Sequence, residues 1–251
     1  MKNTVIHTAD SRGHADHGWL NAYHSFSFAS WFNPNRVQFG VLRVLNDDTV
    51  AAGMGFGMHG HDNMEIITIP LEGDLAHKDN MGNEETIKTG DIQVMSAGTG
   101  VQHSEFNPNK DARTKLFQIW LFPKTQNVTP RYQQITLDKS LQKNDFAQIL
   151  SPNAEDEGVW IHQDAWFYLS DFDANFSKTL SLKKEGNGFY IMNIEGEIEV
   201  SPLTPKGGIM DNEIAQKLNQ RDAIGISNTN EIEIKANAAS KFLVMEIPMN
   251  V

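Results

Sequence analysis

The chain of 251 residues contains no cysteine. Disulfides, thiolate nucleophiles, iron–sulfur clusters and cysteine-bound zinc are thereby excluded. A metal ion would have to be held by His, Asp or Glu, harder ligands that suit Fe(II), Mn, Ni, Cu(II) or Zn. Basic residues are also scarce, with 21 Lys and Arg against 32 Asp and Glu and a formal net charge of −11. They form no run, so direct nucleic-acid contact through a basic face is not expected. No apolar stretch approaches the length that spans a bilayer, and Met1–Asp10 lacks a basic segment followed by an apolar core. The expectation is a cytoplasmic protein without membrane contact.

Helical periodicity is equally sparse. Short apolar runs at Gln38–Leu45, Glu65–Leu71, Ile92–Met95 and Lys115–Phe122 alternate with Gly, Asn and Asp clusters. That spacing is the mark of strands in a sandwich or barrel. Asn46–Asp48, Asn80–Asn83 and Lys88–Asp91 read as hairpin turns. A second series of strands follows the polar stretch Ser151–Gly158, at Trp160–Leu169, Lys178–Leu182, Gly188–Ile194, Glu197–Val200, Ala223–Ile226, Ile232–Ile234 and Lys241–Ile247. One or two helical turns are expected within Ile209–Leu218. Similar strand numbers in the two halves point to a duplicated barrel, divided into residues 1–135 and 136–251.

Chemistry concentrates in two short stretches. One runs from Gly53 through Gly55 and Gly57 to His59-Gly-His61 and on to Glu65; the other ends in His103-Ser-Glu105. Residues two apart on a strand share a face, so His59 projects with His61 and His103 with Glu105. If the two strands are neighbours, four ligating groups converge on one point. Three imidazoles and a carboxylate suit a five- or six-coordinate divalent ion with positions left open. Glu65 falls on the same face as the histidines if the pleat is regular, so spacing leaves Glu65 and Glu105 as rival carboxylates. The glycines either clear space for a substrate or mark a bend or bulge. Met54, Phe56 and Met58 are expected on the opposite face, as core packing against another layer such as the N-terminal segment or the second barrel.

These stretches carry a family likeness. The first resembles the cupin pattern Gly-x5-His-x-His-x3-Glu, with Gly73 arriving one residue late. The second resembles the companion cupin pattern, with Ser96 where proline is usual and two extra residues before His103. The run Met95–Glu105 resembles the pirin branch of the cupins. His24–Phe28, Phe39–Asp48, Leu71–Gly73, His77–Asp79, Gln118–Trp120 and Gln163–Ala165 extend the likeness over nearly the whole chain.

The resemblance implies an all-β bicupin, two jelly-roll barrels in one chain, with a metal in the N-terminal barrel alone. It assigns His59, His61, His103 and Glu105 as ligands, makes Glu65 a non-ligand, and favours Fe(II), with Cu, Ni, Co, Mn or Zn as alternatives. The C-terminal half has a single histidine, His162, and no His-x-His, so it lacks the means to repeat the site. The implied activity is that of a quercetin 2,3-dioxygenase-like oxidoreductase acting on a small aromatic, flavonol-like substrate, with Glu105 as catalytic base. The alternative is a metal-dependent, redox-sensitive regulatory protein that binds a transcription factor or metabolic enzyme. His7, His14, His17, His24, His77 and His162 are expected in solvated or hydrogen-bonded structural roles, and Asp62 is expected to point away from the metal.

Overall fold

The computed structural model describes residues 4–203 and 215–250. The described residues form 22 strands and two short 3-10 turns, and no helix among them is long and apolar enough to cross a membrane. Two compact units result, but they do not follow the chain linearly. One comprises residues 12–137 and 151–163; the other comprises residues 4–11, 138–150 and the described part of 164–250. The first strand, Thr4–His7, therefore belongs with the C-terminal strands. It pairs antiparallel with Ala223–Ile226, and His7 Nδ1 lies 2.8 Å from the Tyr190 hydroxyl. A division at residue 135 misses both exchanges of chain.

In the first unit, two antiparallel sheets face each other. The larger runs Arg131–Thr136, Asp91–Ser96, Glu65–Glu72, Thr114–Leu121, Leu42–Val50, Leu20–His24, Gly13–Asp16, in that order across the sheet. The smaller runs Gly55–His61, Val101–Phe106, Leu75–Asp79, Glu84–Ile87. Apolar side chains at Leu20, Ala22, Val50, Leu75, Ile87 and Leu116 close one region of the space between the sheets, and Phe56 packs on them. Around Thr68, Gln93, Gln118, Asn46, Asp48, His77, His103 and Glu105 the buried side chains are polar. Such groups are stable inside only when they find partners, so this polar lining marks the place to look for a site.

The second unit is filled differently. Its sheets place Phe172, Phe189, Phe242, Ile198, Val200, Ile232 and Ile234 in one apolar cluster, all buried. Aromatic pairs such as Phe172–Phe242, with centroids 4.8 Å apart and nearly perpendicular rings, fix the packing. This unit has no metal-binding cluster among its described residues.

Several elements differ from the sequence expectation. Asn46–Asp48 is no turn; it lies inside the Leu42–Val50 strand, paired with both His24–Ala22 and Gln118–Leu116. Asn46 and Asp48 face the polar interior while Asp47 pairs with Arg12 on the other face, and three polar residues in a row imitate a turn signal. Gln38–Leu45 begins its strand only at Leu42, and Trp160–Leu169 is broken between Val159–Trp160 and Trp166–Phe172. Of the expected helical turn in Ile209–Leu218, residues 209–214 lie outside the described residues, and Gln216–Leu218 is a strand. The turns at Asn80–Asn83 and Lys88–Asp91 are present: Asp79 Oδ1 accepts from the amides of Met81 and Asn83, and Asp91 Oδ2 from that of Lys88.

Candidate metal centre

The Gly55–His61 and Val101–Phe106 strands are antiparallel neighbours, with His59 opposite His103 and His61 opposite Val101. The register then slips, so that Glu105 stands opposite Phe56. Two residues, Gly57 and Met58, thus face the single Ser104, which is a β-bulge. The bulge reverses the parity expected upstream of the histidines. Phe56 turns inward onto the apolar cluster, while Met58 and Met54 face solvent, 54% and 42% exposed, and do not pack against another layer as expected. Of the two roles considered for the glycines, the bend is the one seen. Gly55 is forced by close approach, because a Cβ there would lie 2.2 Å from the Glu105 carbonyl oxygen and 2.6 Å from Phe106 Cα.

The bulge also wires His59. The Gly57 carbonyl lies 2.8 Å from His59 Nδ1 and can only accept, so that nitrogen carries the N–H and Nε2 is the one left to ligate. Ring centroids of His59, His61 and His103 lie 4.4 to 5.1 Å apart, and one nitrogen from each falls within 4.8 Å of the others. His61 Nε2 and both ring nitrogens of His103 are buried with no hydrogen-bond partner. Burial first, then the neighbouring imidazoles, holds His61 down to about 4 and His103 down to about 3. His61 and His103 are therefore neutral donors at neutral pH. Unsatisfied lone pairs pointed at one another are costly unless a cation takes them, so the donor set fits a divalent ion.

Glu105 lies on the same face as His103 and is buried. Its oxygens accept from Gln118 Nε2 at 3.1 and 3.2 Å, and Thr68 Oγ1 lies at 3.5 Å. Burial pushes its carboxyl up, against the opposing pull of His77, Gln118 and His59. Among the described residues no Lys or Arg forms an ion pair with it. Glu105 groups with His103 and with His77, which sequence reasoning had left as a structural histidine. The signal was present in the alternation of Leu75, His77 and Asp79, all buried, with Ala76 and Lys78 more exposed. Trp120 sets its ring against His61, with centroids 4.8 Å apart and ring planes nearly perpendicular.

Glu65 stands apart. The strand of His59 and His61 ends at His61, and Asn63 adopts a φ of 45° before a new strand starts in the other sheet. The pleat is therefore not continuous from His61 to Glu65. Within its own strand Glu65 faces away from Thr68, the residue that reaches toward Glu105. Ser96 Oγ–H donates to Glu65 Oε2 at 2.7 Å, which gives the unusual serine a task. Burial pushes Glu65 up to about 7, with Ser96, Arg131 and the His162 backbone acting in the opposite direction. Arg131 itself stacks over Trp160, 3.9 Å from the ring centroid, and donates to the Trp160 carbonyl.

The remaining candidates are dispersed. His24 is buried, with Nδ1 2.8 Å from Asn46 Oδ1, and His162 packs edge-on to Trp160. His14 stacks on Tyr23, and Asp62 is exposed and outside both donor groups. A surface cavity of about 500 Å³ bordered by Gly60, Asn80, Gly100 and Gln102 reaches His61. His59 and His61 are only half-buried, so the cluster is accessible from the side of their strand.

Comparison with known proteins agrees with this architecture. Residues 5–121 match the family model described as Pirin, and residues 148–247 match that of the quercetinase C-terminal cupin domain. A quercetin 2,3-dioxygenase of Escherichia coli K12 is 40% identical over 243 residues, covering 97% of this chain and 98% of that one. The chain belongs to the pirin family. A pirin-like protein of Caulobacter vibrioides is 36% identical, covering 94% of this chain and 96% of its own length. Among solved structures, the bacterial pirin YhhW of Escherichia coli in complex with nickel(II) superposes with a TM-score of 0.87 at 35% identity, over 99% of this chain and 100% of that one. The all-β pirin fold with cupin barrels is thus shown.

Proposed function

We propose that this pirin is a metal-dependent dioxygenase that cleaves flavonol-type substrates, using His59, His61, His103 and Glu105 to hold one divalent ion. The observation that carries the reading is the convergence of three imidazoles, those of His61 and His103 with unpartnered buried nitrogens, near a buried carboxylate that has no ion pair with Lys or Arg among the described residues. The relatives named quercetin 2,3-dioxygenase, and the nickel(II) complex of a bacterial pirin, support the metal and the substrate class.

A bound ion would supply Lewis acidity, a fixed point for the substrate oxygens and, with a redox-active metal, access to dioxygen chemistry. The chain supplies the rest. Glu105, destabilised as an anion by burial, is suited to take the proton of a flavonol 3-hydroxyl; a carboxylate with an elevated pKa is the better base. Gln118 Nε2 donates to both its oxygens and fixes its plane. Trp120 packs against both His61 and Phe28, with centroids 4.8 and 5.4 Å away, and so sets aromatic surface beside the histidines that suits a flat ring system. Fe(II) is the ion favoured, with Ni, Cu, Co, Mn and Zn to be compared.

The test is aerobic incubation of quercetin with apoprotein reloaded with each ion in turn. Loss of flavonol absorbance with equimolar dioxygen uptake is expected for at least one ion, and a Glu105→Gln variant should be slower by about 100-fold or more, the contribution usual for a positioned base. Absence of ring cleavage with every ion would refute the reading.

A further inference from the structure

We propose that His77 is an additional metal donor, so that the cavity offers two overlapping ligand sets sharing His103. The proposal rests on the reading that the cluster holds a divalent ion, and it extends the donors beyond the four assigned above. His77 stands directly opposite Glu105 in the register of the Leu75–Asp79 and Val101–Phe106 strands. Its side chain is fully buried, and a nitrogen or oxygen from each of His77, His103 and Glu105 falls within 4.8 Å of the others. The His77 and His103 ring centroids lie 5.4 Å apart.

The hydrogen bonding around His77 is that of a ligating imidazole. Its Nε2 lies 3.3 Å from Asp79 Oδ2, and that carboxylate is fixed by Met81 N, Asn83 N and Asn83 Nδ2 at 2.8 to 3.0 Å. A metal-binding histidine commonly donates its outer N–H to a carboxylate, which sets the tautomer and leaves the inner nitrogen as a lone pair. His77 Nδ1 is that inner nitrogen, buried with no hydrogen-bond partner. His59 has the same arrangement through the Gly57 carbonyl. A buried histidine with a purely packing role would be expected to have both nitrogens matched. Tyr132 stacks near its outer face, with centroids 4.8 Å apart, and orders the ring further.

His103 lies between the two sets, one made with His59 and His61 and the other with His77 and Glu105. The four-donor assignment leaves His77 Nδ1 without a partner, whereas the overlapping set gives it one.

The experiment measures Ni(II) affinity by competition with a chromophoric chelator, and the visible spectrum of the Co(II) form, on the full chain. Wild type is compared with His77→Phe, Glu105→Ala and the double variant; phenylalanine keeps the packing against Tyr132. Thermal melts of the apoproteins report folding, and His77→Gln is read the same way if the phenylalanine variant is unfolded. The expected result is a modest effect of Glu105→Ala alone, a further loss of about 100-fold or more on adding His77→Phe, and an altered Co(II) spectrum in His77→Phe. Unchanged affinity and spectrum on replacing His77 in both backgrounds would overturn the proposal. Failure of the wild type to bind either ion would instead overturn the metal reading on which it rests.

Discussion

Replacing Glu65 by glutamine separates a structural carboxylate from a ligand, and its pH dependence can be worked out from the structure. Glu65 is 1% exposed, and burial raises its titration from the ordinary 4.5 to about 7. Between those values the folded chain holds a proton that the unfolded chain has released, so the folded state binds more protons and stability falls as pH rises. At about 1.4 kcal/mol for each pH unit between the two titrations, the loss is on the order of 3 kcal/mol by pH 8. Glutamine is neutral throughout and still offers Ser96 Oγ an acceptor. Glu65→Gln should therefore gain on the wild type as pH rises from 5 to 8, by roughly 5–10 °C in Tm for a chain of this size. Melts of apoprotein at half-unit pH steps would show it, and the difference between the two proteins removes the contributions of Asp48, Glu105 and Glu246. Ni(II) affinity should match wild type, since Glu65 lies outside both donor groups. A Tm difference that stays flat with pH would refute the linkage argument, and a lost ion would return Glu65 to the ligand set.

Other perturbations test separate parts of the site. Gly55→Ala drives a Cβ into the Glu105 carbonyl, which backbone adjustment must relieve; a cost of about 3 kcal/mol or more is expected in denaturant melts, with metal uptake weakened. His61→Ala should abolish tight Ni(II) binding while leaving apoprotein stability equal or higher, because it removes a buried nitrogen with no partner. Gln118→Leu keeps the volume but removes both donors to Glu105, and calorimetric metal titration should show affinity lower by about 10–100-fold. Arg131→Met removes the stack on Trp160 and the bond to its carbonyl, and chemical denaturation should show a loss of about 1–3 kcal/mol without change in Ni(II) affinity.

How much of this was legible in the sequence depends on range. Pleat alternation placed His103 with Glu105 and His59 with His61, and both pairs share faces as expected, because each spans only three residues of regular strand. The same rule failed across Gly57–Met58 and across Asp62–Met64. The bulge and the change of sheet there depend on the partner strand, and the intervening residues carry no record of it. Phe56 was consequently assigned to the wrong face. Asn46–Asp48 reads as a turn because sequence patterns presume an apolar interior, whereas Asn46 and Asp48 face a polar one. His77 was passed over since its partners, Glu105 and His103, lie across a sheet, 26 and more residues away in the chain. The exchange of Thr4–His7 into the C-terminal unit has no local signal at all, being a pairing with Ala223–Ile226 more than 200 residues distant.

The contrast between the two interiors bears on why one unit holds the site. The second unit buries phenylalanines and branched aliphatics against one another, which is the stable way to fill a barrel. The first places His61, His103, Glu105 and Asp48 where apolar residues would serve folding better; Asp48 keeps one oxygen unpartnered, and burial raises its carboxyl to about 8. Each group left unmatched costs on the order of 1–3 kcal/mol. Chance would not gather histidines and a carboxylate within ligating distance in one unit, and among the described residues the second unit has no such cluster. The arrangement has a physical rationale if a cation relieves the lone pairs and the carboxylate together, so the first unit should gain stability on metal binding and the second should not. Hydrogen exchange can resolve this by segment: saturating Ni(II) should slow exchange in Val101–Phe106 and Leu75–Asp79 and leave Ile232–Ile234 unchanged. Equal protection in both units would mean that the polar interior is stabilised by something other than an ion.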